Sequence, residues 1–291
     1  DILPSTSTAD SMRRPPALVI ARLTLREAAR RRILLAAVAL GLVFLATYGL
    51  GVHFIRRDMA QQHLQRVVSV PMYSFLANSG LYVVNFLTLT LTVLTSVDTV
   101  AGEIDSGTVH VVATKPIQRR DILLGKWLGF VTMITVYLLL MAGGVIGLTR
   151  VVLDYGVRHP VLGVALVWLN QVLILNVTLL GGTRLSALAN GVLAFAAYGV
   201  AFIGGWIEQI GAFLGNETTV VIGILSSLLM PTEALWRRAS FEMQSALAEV
   251  APPTPFTSVL SVPSPAMIVY ALVYAAAALA VAVVSFERRD L

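Results

Sequence analysis

The sequence predicts an all-α integral membrane protein with six transmembrane helices, and three observations predict it. Of 291 residues, 57% are hydrophobic and only 13% charged, with a mean hydropathy of +0.80. Soluble domains carry about 25% charged residues, so this much apolar surface needs a bilayer as its solvent. Next, uncharged runs cover Ile33–Ile55, Val67–Val97, Trp127–Thr149, Val161–Thr183, Leu185–Ile207 and Ala251–Phe286. Each reaches the ~20 residues that cross a hydrocarbon core, and none contains Asp, Glu, Lys or Arg. Finally, the basic residues are lopsided. With the N-terminus cytoplasmic, six spans place 14 Lys and Arg on the cytoplasmic side and 7 outside, as the positive-inside rule requires.

The chain reads as one membrane domain, 1–291. Residues 1–32 are polar and Arg-rich, and no small-residue cleavage site follows the first apolar run, so no secretory signal is expected. Within them, "PPALVIARLTLREAARRR" places Arg22, Arg26 and Arg30 on one helical face, with Leu18, Leu25 and Ala29 towards another. This suits an interfacial helix with its arginines towards headgroups, and equally a positive flank. The first span is 33–55. The second run exceeds one crossing, so the span is expected from about Gly80, over 80–97. The third, fourth and fifth spans are 127–149, 161–183 and 185–207. An extracytoplasmic segment, 208–263, contains the helical stretch "PTEALWRRASFEMQSALAEV". The last span is 264–286, which returns the C-terminus to the cytoplasm.

A seventh crossing over "TTVVIGILSSLLMP", residues 218–231, would leave the charge bias unchanged, because Arg237/Arg238 and Arg288/Arg289 would trade sides. At about 1.5 Å per residue the segment is too short to cross comfortably. It is expected to be re-entrant or to lie on the surface.

The most polar stretch, "GEIDSGTVHVVATKPIQRRDILLGK" over residues 102–126, falls in the cytoplasmic loop 98–126 between spans two and three. A short helix is expected before Lys115-Pro116, since proline disfavours helix at the residue preceding it. "RRDILLGKWLG" then restarts as the lead into the third span. From the residues alone, a docking element and an ordinary solvated loop are equally good descriptions.

Several chemistries are excluded or disfavoured. Phosphate binding by a P-loop needs G-x-x-x-x-G-K-[ST]. The one Gly-Lys, Gly125-Lys126, is followed by Trp127 and has Arg120 where the first glycine belongs. Glu103 and Asp105, two apart on a presumed helix, face different ways and lack a nucleophile or base. His53, His63, His110 and His159 are scattered, the methionines are dispersed, and cysteine is absent. No metal site is expected. Asn85, Asn170 and Asn176 lie within spans without a nucleophile–base pairing. Gly143 and Gly147, and Gly125 and Gly129, form G-x-x-x-G pairs that let helices approach. The net charge of +5 reflects lipid-facing loops rather than nucleic acid.

The order Gly102-Glu103, Gly107-Thr108, Lys115-Pro116-Ile117, Arg119, Gly125-Lys126 resembles the motif of ABC-2-type transporter permeases. The N-terminal stretch resembles that family's elbow helix (Arg22, Arg26, Arg30), and "FERRDL" its cytoplasmic end. The resemblance implies a permease subunit of an ATP-driven exporter, multi-pass in the cell (inner) membrane, working as a homodimer or related heterodimer by alternating access. It implies two copies of a separate ABC ATP-binding subunit that holds ATP and Mg, so that this chain is no enzyme and binds no cofactor. A coupling helix (Gly102, Glu103, Asp105, Gly107, Thr108, His110) would dock on the ATPase. Lys115, Pro116, Arg119, Gly125 and Lys126 would lead into the third span. The uncharged spans favour a lipid-like or amphipathic cargo, and the segment 208–263 could receive an extracytoplasmic partner. The alternatives are an ion-coupled secondary transporter, which usually needs ionisable groups at mid-membrane, and a non-transporting scaffold.

Overall fold

The computed structural model describes residues 16–30, 32–61, 66–105, 118–244 and 259–288. Among the described residues there are helices and no strands: α1 (Pro16–Arg30), α2 (Arg32–Gln61), α3 (Arg66–Asp105), α4 (Arg119–Leu153), α5 (Pro160–Gly182), α6 (Ala187–Leu214), α7 (Glu217–Leu229), α8 (Thr232–Met243) and α9 (Pro265–Glu287). Six of them, α2 to α6 and α9, are long and apolar enough to cross a bilayer. These are the six runs read from the sequence, and the architecture is all-α.

Successive crossings alternate in direction, which gives the bundle two distinct ends. At one, α1 packs beside the start of α4, Lys126 meets the last turns of α3, and Thr183 meets Ser285 near the end of α9. At the other, α8 covers the start of α5, with Met243 lying on Gly163.

The helix α3 departs from expectation. It is one continuous helix of 40 residues through Pro71, not a span beginning near Gly80. At 1.5 Å per residue it is about 60 Å long, twice the hydrocarbon thickness. Pro71 sits in its second turn, so the one hydrogen bond it removes, to the Val67 carbonyl, lies close to the helix start. At the far end, Gly102, Glu103 and Asp105 belong to the last turns of α3 rather than to a separate helix. Gly107, Thr108, His110, Lys115 and Pro116 lie outside the described residues.

The stretch between α6 and α9 does not cross. Gly215, with φ of +68°, closes α6, and Asn216 caps α7 by accepting from the Thr219 N–H at 3.1 Å. Then Met230-Pro231 turns the chain by 109° into α8. The Gln209 side-chain oxygen accepts from the backbone N–H groups of both Leu260 and Ser261 at 3.0 Å. The chain therefore leaves the bundle and returns to it at one end, and α7–α8 form a re-entrant hairpin. That decides between six crossings and seven, which charge counting leaves open.

Packing turns on α5. It carries no charge, but Asn170, Gln171, Asn176 and Thr178 are buried within it, and polar groups in hydrocarbon must pair inside the bundle. Asn170 and Gln171 donate to the Asn85 side-chain oxygen of α3 at 3.1 and 2.8 Å. Asn176 donates to the Ala275 carbonyl of α9 at 2.8 Å and accepts from Trp127 of α4 at 2.7 Å. Thr178 shares a hydrogen bond with Ser96 of α3 at 2.7 Å, and its carbonyl accepts from Asn190 of α6 at 2.8 Å.

The arm α1 is held by close approach. A Cβ at Gly125 would lie 2.6 Å from the Ile20 side chain and 2.7 Å from the Ala17 carbonyl, and one at Gly129 would lie 2.9 Å from Thr24. The G-x-x-x-G of α4 therefore seats α1, with Thr24 and Ala28 buried, while Arg22, Arg26 and Leu18 are exposed. Gly143, by contrast, faces open space. Gly125→Ala is expected to cost about 1–3 kcal/mol by overpacking and to lower the melting temperature in mild detergent. Gly143→Ala on the same helix should leave the melting temperature unchanged or raise it slightly.

Candidate functional site

At the α1 end the start of α4 is fixed against its neighbours. Lys126 is buried, and its ammonium donates to the Thr99 carbonyl of α3 at 3.2 Å. One residue on, Trp127 donates to Asn176 of α5. Hydroxyls line the facing side of α3: Thr88, Thr92, Thr95, Ser96 and Thr99 are all buried, each returning its own proton to the carbonyl four residues earlier. Ser96 and Asn190 extend this seam to α5 and α6, where Asn190 also reaches the Val97 carbonyl at 3.5 Å. The result is that the end of α3 and the start of α4, the two helices flanking residues 106–117, are joined to each other and to α5 by polar contacts in an otherwise apolar bundle. Arg119, the first residue of α4, is half-buried beside this junction.

At the opposite end lies a charged cluster. Glu208 on α6 and Arg237 on α8 are buried and paired at 2.6 Å. Ser261 donates to the second oxygen of Glu208, and Arg237 donates onward to the Ser261 carbonyl at 3.3 Å. Beside them Arg238 pairs with Glu242 at 2.6 Å and donates to the Pro263 carbonyl. Together these contacts clasp α8 and the strand of chain before α9 onto the end of α6. A buried ion pair gains little net stability once its desolvation is counted, and Arg237 Nε has no hydrogen-bond partner, so the contact fixes where the elements sit more than it stabilises them.

A third acid, Glu233, is 5% exposed and stands outside the clasp. Its Oε2 is buried without a hydrogen-bond partner. Loss of hydration pushes the carboxyl from 4.5 up to about 7, against a smaller downward pull from Arg237.

A family model described as "ABC-2 family transporter protein" matches residues 18–291. The chain belongs to the ABC-2 transporter family. The match covers α1 and every crossing, so the elbow-like arm, the six spans and the hairpin all fall within the family's own extent. No curated protein matches the sequence. As an ABC-2 permease the chain is the membrane-spanning part of an ABC transporter and not itself the ATPase, and its family works with an ABC ATP-binding subunit.

Of the residues singled out from the sequence, Gly125 and Lys126 come together with α1 and α3, and Arg119 stands at the helix start beside them. Gly102, Glu103 and Asp105 are carried on α3 towards the same end. Arg22 and Arg26 lie on the exposed face of α1, and Arg30 ends that helix. Sequence reasoning missed the Asn85–Asn170–Gln171 contact and the Glu208–Arg237 pair, whose members lie 29 residues apart. Two adjacent amides, Asn170-Gln171, in an otherwise apolar span were the available signal for the first. For the second it was the balance of acids and bases in residues 208–263.

Because the folded-state carboxyl of Glu233 titrates above its unfolded value, it favours the folded protein fully below pH ~4.5 and loses that contribution as pH rises through about 7. Glu233→Gln removes the titration. The variant is therefore expected to gain stability relative to wild type across that window, by roughly 3 kcal/mol at most, measured by thermal unfolding at pH 5 and pH 8.

Proposed function

We propose that the chain is the permease subunit of an ATP-driven exporter, acting as a dimer with two copies of a separate ATP-binding subunit that holds ATP and Mg. The observation that carries this reading is the family match over residues 18–291. The distribution of 14 against 7 basic residues supports a cytoplasmic α1 end, and with it cytoplasmic termini. The ATPase then meets the segment that joins α3 to α4.

The junction supports a route for force. Movement imposed on the end of α3, where Gly102, Glu103 and Asp105 lie, reaches α4 through Lys126 and Thr99, and reaches α5 through Trp127–Asn176 and Ser96–Thr178. From α5 it passes to α6 and α9. Packed interfaces of this kind switch between discrete arrangements rather than deform continuously, which suits a device biased by nucleotide closure in a partner chain. In this scheme Gly107, Thr108 and His110 belong to the docking surface, Lys115 and Pro116 to the turn after it, and Arg22, Arg26 and Arg30 to the lipid headgroup layer.

The cargo is proposed to be amphipathic or lipid-like, moved along apolar helix faces. Large apolar residues are exposed along α2 and α6, among them Leu35, Val43, Phe54, Leu188 and Ile203. A secondary transporter is disfavoured by where the buried ionisable groups of the spans sit. Lys126 and Glu208 lie towards opposite ends, and the mid-span polar cluster is made of amides.

A tagged chain purified from its native membrane in mild detergent is expected to co-elute with a P-loop subunit in equal amount. Glu103→Lys is expected to release that subunit and abolish coupled ATPase activity while the melting temperature of the permease is unchanged. Partner binding and transport that survive Glu103→Lys would contradict the docking assignment.

A further inference from the structure

An open-sided cavity of about 350 Å³ lies between α3, α6 and α8. Aromatic side chains from all three helices line it: Phe75 and Tyr82, Trp206, and Trp236. Tyr82 and Trp236 meet edge to face with centroids 5.1 Å apart, and Phe202 bridges Tyr82 towards Trp206 at 6.5 and 6.4 Å. These contacts hold the rings in place, with Phe202 bracing them from outside the lining. Phe75 and Trp206 are only half-buried, so the cavity reaches the surface. Its ionisable lining is Glu233 and Arg237.

The charges around this cavity do not balance. Among the described residues Arg237 is paired with Glu208 and Arg238 with Glu242, which leaves Glu233 as an acid in excess there. Residues 245–258, which follow the hairpin, contain no Lys, Arg or His to serve as its partner. An unpaired buried carboxylate is costly, and removing its proton calls for a cation from outside. Glu233 also stands in the first turn of α8, where the helix dipole favours the ionised form. A buried carboxylate with one oxygen unpartnered, walled by several aromatic rings, is the arrangement that recognises organic ammonium groups, through ion pairing at one side and cation–π contact at the other. The volume suits a small head group rather than a whole lipid.

We propose that this cavity binds an organic cation, an alkyl- or arylammonium whose charged head lies at Glu233 and whose apolar body lies against Tyr82, Trp206 and Trp236. Such a ligand would bring the buried charges to balance without disturbing the Glu208–Arg237 clasp. The site is complete within one chain and does not depend on the pairing with an ATPase.

The test uses the full chain in lipid nanodiscs at pH 8, with empty nanodiscs subtracted, and equilibrium dialysis of benzyltrimethylammonium against its neutral isostere neopentylbenzene. Saturable one-site binding is expected, with the cation preferred at least tenfold and raising the melting temperature. Glu233→Gln should lose at least tenfold in cation affinity and most of that preference. Isostere binding as tight as that of the cation would overturn the proposal, as would cation binding unchanged in Glu233→Gln, or no saturable binding above empty nanodiscs. The comparison of cation with isostere on the wild-type chain stands whether or not the variant folds.

Discussion

Polar side chains on an uncharged helix govern how this bundle is put together. Asn170, Gln171, Asn176 and Thr178 of α5 cannot face lipid without losing their hydrogen bonds. Their partners come from α3, α4, α6 and α9. Between apolar helices in an apolar solvent, area burial gives little preference for one neighbour over another, whereas donors and acceptors at fixed heights select both partner and register. Only α2 among the crossings lies outside this scheme. It is attached through Tyr137 of α4, which donates to the Ala37 carbonyl at 3.1 Å, and through its own Tyr48, which donates to the Leu76 carbonyl of α3 at 3.0 Å.

From that axis the two ends acquire different characters. At one, Gly125 and Gly129 bring α1 into backbone contact with α4, and Lys126 ties α4 to α3. This end is built from close approach and from hydrogen bonds to carbonyls, and it holds the helices that flank the polar loop. At the other end ion pairs do the fastening, and the hairpin they secure places aromatic rings and a surplus acid around a cavity. On the proposed reading, the first end transmits movement and the second receives a small charged molecule, and α5 joins them.

Much of this was legible in the sequence because membrane crossings announce themselves by length and lack of charge. The six spans and the short hydrophobic stretch at 218–231 followed from that rule, the arm before them from arginines spaced four apart, and the ordered Gly-Glu, Gly-Thr and Gly-Lys pairs pointed to the family. The start and end of α3 were misjudged for a local reason. The start was set near Gly80 because the uncharged run exceeds one crossing, and a separate short helix was expected around Gly102. Instead α3 runs unbroken through both Pro71 and Gly102, as a helix embedded among others tolerates. The pairings Asn85 with Asn170, Glu208 with Arg237 and Gly125 with Ile20 carry no local pattern, since they are set by how distant segments pack. Of these, the glycine pair was visible as a motif while its partner was not.

Six crossings with a hairpin that turns back set the α1 end and the hairpin end on opposite faces of the membrane. The chain contains no cysteine, so single substitutions at the exposed positions Arg184, Glu217 and Ser264 can be probed in intact cells with a membrane-impermeant maleimide. With this topology Glu217→Cys and Ser264→Cys label from outside, and Arg184→Cys labels only after permeabilisation. Labelling of Glu217→Cys and Ser264→Cys from opposite sides, or of Arg184→Cys from outside, would contradict it.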